Sequence, residues 1–143
     1  MLFRSRLKIH LAGFKDILAF ANLCISSGAL RRLRSFSLTT YNVYLNNWMK
    51  HVVDLLSKSP LESFMICSPI SFNFIVEDEF WTQLTLTHGK RLLQFVVSKT
   101  LIGWEALHSI CVQCTKLEIV SVSVDPDDLV RTLASFFLEE LVF

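Results

Sequence analysis

The feature that most limits how this chain can fold is a short apolar frame, Leu-x-x-Phe/Val-x-aliphatic, that occurs four times. It reads Leu33-Phe36-Leu38, Leu61-Phe64-Ile66, Leu92-Phe95-Val97 and Leu117-Val120-Val122, with successive starts 28, 31 and 25 residues apart. A frame that returns at such intervals marks one supersecondary unit used over and over, each copy burying its apolar side against the next. The last two apolar positions of each frame are two residues apart, so they share one face of a short strand of about four or five residues.

Between the frames the apolar spacing changes to three and four. Trp48, Val52, Leu55 and Leu56 form one such set, and Trp104, Leu107, Cys111 and Cys114 another. Those are helix faces of about three turns. Asp125 before Pro126 predicts an N-cap and a first-turn proline, with Asp127 and Asp128 suited to the positive end of the helix dipole. Ser57 to Pro60 and His88-Gly89 predict two helix stops. A weaker unit precedes these: Ile9 and Leu11 fit the strand positions and Phe14 to Ser26 a helix, although Arg6 stands where the leading leucine belongs. The expected fold is therefore α/β, a leucine-rich-repeat solenoid of short parallel strands alternating with helices, with four clear repeats and a degenerate N-terminal one. It forms a single domain over 1–143, the degenerate repeat at 1–28 and the clear ones at 29–143. The asparagine usual after the strand of such repeats is replaced by Tyr41, Pro69, Thr100 and Asp125, of which only the last two can partly imitate it, so irregular turns are expected.

Composition narrows the function classes. Hydrophobic residues make up 52% and charged residues 19% of the chain, which excludes disorder. The mean hydropathy of +0.45 raises the membrane question. The longest uncharged runs, Ile17 to Leu30, Ser35 to Met49 and Ser63 to Val76, fall short of the ~20 apolar residues a spanning helix needs. The chain is expected to engage no membrane and to reside in the cytoplasm or nucleus. Fourteen basic residues oppose thirteen acidic ones, and the only basic cluster, Arg31, Arg32 and Arg34, reads as a solvated rim. Nucleic acid, which needs many more cations on one face, is not an expected partner.

Reactive residues are few. Cys111 and Cys114 form a C-x-x-C with His108 one turn earlier, and Cys24 and Cys67 complete the cysteines. A zinc site needs four converging ligands, so both thiols are expected to pack as small apolar side chains in a reducing compartment. His10, His51, His88 and His108 lack a sequence-adjacent Ser and Asp constellation of the catalytic kind; His88 is expected to cap a helix end as a donor or cation. Glu77, Asp78 and Glu79 read as dipole-complementing charge at a helix start, and Phe80, Trp81, Trp48 and Trp104 as an aromatic spine on the helical side. No catalytic role, cofactor or metal is expected.

The better candidate surface is the open strand face. If Phe36, Phe64, Phe95 and Val120 point into the core, their neighbours stack outside in columns: Ser35, Ser63, Gln94 and Ile119; then Ser37, Met65, Val96 and Ser121; then Thr39, Cys67, Ser98 and Ser123. None is charged. Such a face suits a protein or peptide and disfavours phosphate or nucleotide.

From His88 to Val124 the sequence resembles basidiomycete fungal proteins of the F-box and leucine-rich-repeat type. The similarity rests on His88-Gly89, the strand Leu92 to Val97, Ala106-Leu107, Ile110-Cys111 with Cys114, and Leu117-Glu118. Leu55-Leu56-Ser57, Ser59-Pro60-Leu61-Glu62 and Phe80-Trp81 extend it, so that it covers roughly residues 30 to 137. The resemblance implies a substrate receptor of a cullin-type ubiquitin ligase, whose F-box docks the adaptor while the repeats hold the target. No F-box-like segment is found here, and no polar capping unit follows Leu141. The chain is therefore expected to be a fragment, a truncated gene product or a degenerate copy, with adaptor binding only if an F-box lies outside it.

Overall fold

The computed structural model describes residues 6–11, 28–40, 45–67 and 78–141. In order, these form β1 (Arg6–Leu11), a 3-10 turn (Ala29–Arg32), β2 (Ser35–Thr40), α1 (Leu45–Leu56) and β3 (Ser63–Cys67). There follow α2 (Asp78–His88), β4 (Gln94–Ile102), α3 (Trp104–Gln113), β5 (Ile119–Val124) and α4 (Pro126–Leu141). The five strands make one parallel sheet in the order β1-β2-β3-β4-β5. The protein is thus α/β, each strand laid beside the one before it. The expected first helix from Phe14, with Cys24, Tyr41, Pro69 and Glu77, lies outside the described residues.

Alternation dictates which side of the sheet is buried. Phe36, Leu38, Phe64, Ile66 and Phe95 are wholly buried and Val97 almost so, each flanked by residues left partly open. On the helices, Val52 and Leu56, Trp81 and Leu84, and Ala106 and Ile110 join the same core. All three helices therefore cover one face and leave the other open, as parallel connections of one hand require. Burying side chains of this size stabilises by roughly 1.5–3 kcal/mol each. Phe36, Phe64 and Phe95 occupy one register position on neighbouring strands, and their rings stack at 5.8 and 5.7 Å with 20° between planes. Trp81 meets Phe64 and Phe95 edge-on at 6.3 and 5.9 Å. The aromatic spine thus runs through the strand phenylalanines and takes in Trp81; Phe80 packs half-buried against the same core, Trp104 is half-buried, and the Trp48 side chain lies outside the described residues.

Strand starts are locked by a repeated backbone device. The carbonyl of Arg34 accepts from the N–H of both Glu62 and Ser63, that of Glu62 from Leu93 and Gln94, and that of Leu93 from Glu118 and Ile119, at 2.7 to 3.1 Å. A fixed distance after each leading leucine, every unit hooks onto its predecessor in the same way.

Other expectations are corrected. β1 pairs Leu7 with Phe36 and Ile9 with Leu38, so the degenerate unit sits two residues earlier than Ile9 and Leu11 suggest, and Arg6 falls beside Ser35. β4 runs to nine residues, and its pairing with β5 shifts between Val96 and Leu101, so that Ser123 faces Leu101 and not Ser98. Val120 shares the register of Phe95 yet is 52% exposed, because no further strand among the described residues covers β5. Helix α3 buries Ala106, Ile110 and the following Cys114, with Leu107 partly covered, which rotates Cys111 out to solvent. Thr100 is buried with its hydroxyl unpartnered, and Asp125 bonds its own helix, so neither imitates the missing asparagine.

Candidate functional site

The open face of the sheet is where the structure gathers the residues singled out above. Register places Ser35, Ser63, Gln94 and Ile119 side by side on β2 to β5, and likewise Ser37, Met65, Val96 and Ser121. All are half-buried or exposed. Ser63 Oγ donates to Gln94 Oε1 at 3.1 Å, tying β3 to β4 across the face. The third column holds for Thr39, Cys67 and Ser98 and breaks before Ser123. Two hollows mark the face. One, of about 360 Å³, is lined by Ser35, Ser37, Ser63, Met65 and Gln94 among others. The second, about 420 Å³, follows the strand starts from Arg6 and Arg34 past Glu62 and Leu93 to Glu118 and Ile119.

Arg6 lines both hollows, and its inclusion corrects the expectation of an uncharged face. The same register sets Lys8 beside Ser37 and His10 beside Thr39. The alternation Leu7-x-Ile9 was the signal for this placement. It escapes notice because Ile9 and Leu11 fit the same alternation two residues later.

Elsewhere the polar groups serve the scaffold. Asp78, at the start of α2, accepts from the backbone N–H of Gly103 at 2.9 Å and of Ala106 at 3.2 Å, so it caps the next helix, α3. Asp128 of α4 accepts from Trp104 N–H at 2.6 Å. Helix α3 thus has its N-terminus closed by carboxylates from the helices on either side, and Gly103 itself offers no side chain for the task. Asp125 accepts from Asp127 N–H at 3.1 Å, the N-cap expected for α4. At the facing middles of α2 and α3, the Thr85 and Ser109 hydroxyls are hydrogen-bonded at 2.6 Å.

No family model matches this chain, and neither a curated protein nor a solved structure matches it.

Among the described residues the cysteines and histidines do not assemble into a metal-binding group. Cys114 is buried, and its thiol is pushed up to about 11 by desolvation and then by the neighbouring Cys111, so it stays protonated. Cys111 is exposed, correcting the expectation that both thiols pack inside. No group of three or more His, Cys, Asp or Glu side chains among the described residues could hold a metal ion. His108 stacks on Trp104 with ring centroids 6.2 Å apart. His88 is buried, and desolvation followed by repulsion from Arg91 lowers its pKa to about 4. It is therefore neutral at pH 7, which removes the cation from the expected donor-or-cation cap and leaves the neutral donor. No helix among the described residues is long and apolar enough to cross a membrane.

Proposed function

We propose that this chain is a protein-binding module of the leucine-rich-repeat type, resembling the substrate-recognition part of an F-box ubiquitin-ligase receptor and carrying no catalytic residues of its own. The observation that carries this reading is the one-sided sheet. Helices cover the core side of β2 to β4, while the other face presents Ser35, Ser37, Ser63, Met65, Gln94, Val96, Ile119 and Ser121 in register beside two hollows. Small hydroxyls interspersed with Met65, Val96 and Ile119 offer hydrogen bonds and apolar contact side by side, the mixture that protein interfaces use.

The test is a double substitution, Val96→Asp with Ile119→Lys. Ile119 is 51% exposed and Val96 half-buried on the open side, so neither change enters the core. Peptides selected from a displayed library against the unmodified chain should lose binding to the variant, with circular dichroism and melting unchanged. Equal binding by a folded variant would move the site elsewhere. Adaptor binding is expected only for a chain that also carries an F-box. A repeat module with no ligase link would bind the same peptides, and a full-length product that does not co-purify with ligase subunits would favour it.

A further inference from the structure

The second hollow carries charge in an ordered way. Along the strand starts it passes Arg6 on β1 and Arg34 just before β2, then Glu62 before β3, the aliphatic Leu93 before β4, and Glu118 before β5. Arg6, Arg34 and Glu118 are exposed and Glu62 half-buried. Cations therefore stand at one end of a single trough and carboxylates further along it, with Ser35, Ser63, Gln94 and Ile119 forming its inner wall.

From this polarity, and resting on the reading of the face as a peptide-binding surface, we infer that the trough takes an extended peptide with an acidic side chain at one end and a basic one at the other. Strands in a sheet lie about 4.8 Å apart, so Arg34 and Glu118 are separated by three spacings, about 14 Å, and Arg6 and Glu118 by four, about 19 Å. An extended chain advances about 3.3 Å per residue, which places the two ligand charges roughly four to six residues apart. Between them the ligand passes Leu93 and Ile119, where an aliphatic residue fits, and the Ser63–Gln94 pair, which can bond its backbone. Opposite polarity at the two ends also fixes direction, because a reversed peptide would set like charges together.

The test uses the full chain as bait for a displayed library of random peptides. Enriched sequences should pair Asp or Glu with Lys or Arg at that separation, in one fixed order. A charge-reversed chain, Arg6→Glu, Arg34→Glu, Glu62→Arg and Glu118→Arg, should enrich the opposite order. The cross-strand bonds at positions 34, 62 and 118 are backbone bonds, which these exchanges leave in place. A milder variant, Arg34→Gln with Glu118→Gln, should bind the original peptides roughly fivefold more weakly and lose much of its salt dependence. Enrichment of peptides without the charge pair, or of the same order by the reversed chain, overturns the inference. If such uncharged peptides still fail to bind the Val96→Asp, Ile119→Lys chain, the binding-module reading survives that result; if no peptide is enriched at all, both fall.

Discussion

His88 lies at the end of α2 with almost none of its surface in water, and its pKa of about 4 has a consequence for the whole fold. In the unfolded chain an imidazole takes up a proton below about pH 6.5. The folded protein resists that proton until about pH 4, so over the interval between them the unfolded state binds more protons. Stability is therefore fully present above pH 6.5 and declines as pH falls toward 4. Urea midpoints measured at pH 7.5, 5.5 and 4.5 should drop across this window by more than those of His88→Gln, which lacks the group. Equal declines in the two proteins would assign the acid sensitivity to carboxylates instead.

The junction of α2, α3 and α4 shows how one element depends on side chains about 25 residues distant. A Cβ at Gly103 would fall 2.5 to 2.9 Å from the Asp78 carboxylate, so glycine here permits the carboxylate to reach α3. Asp78→Ala should cost about 1–2 kcal/mol, as the loss of a helix cap does. Gly103→Ala should cost a similar amount alone but little once Asp78 is gone, because the obstructed contact no longer exists. Urea unfolding of the four proteins in that cycle measures the coupling, and additive costs would show that the two residues act apart. This junction was hidden in the sequence for a physical reason. Alternation in Phe64-Met65-Ile66 or Phe95-Val96-Val97 is a local property and was enough to give β2 to β5 and the first two open columns, and the cap of α4 by Asp125 is local too. Which helix Asp78 would cap, how far α3 would rotate to expose Cys111, and where β4 would slip against β5 all depend on neighbours that no local pattern records. Arg6 was overlooked on the same grounds: a weak frame allowed two registers, and pairing with β2 decided between them.

At the scale of the whole molecule, β2, β3 and β4 are each flanked by strands, whereas among the described residues β1 and β5 are paired on one side only, and β5 leaves Val120 at 52% and Ile119 at 51% exposure. An uncharged, β-branched edge strand is a template for further pairing. Sedimentation at rising concentration should reveal association that Val120→Lys reduces, with little loss of stability because the site is already open to water. Association unchanged by that substitution would point to another surface. The aromatic stack bears on shape in a different way. Ring centroids of Phe36, Phe64 and Phe95 stand 5.8 and 5.7 Å apart, while paired backbones stand about 4.8 Å apart. On the opposite side of the same strands stand Ser35, Ser37, Ser63 and Gln94 with Met65 and Val96, all smaller than the rings. Each unit is consequently a wedge, broad behind and narrow in front, and wedges laid side by side make an arch whose span is set by the size of the stones: trimming the rings would flatten it and draw Arg34 and Glu118 further apart.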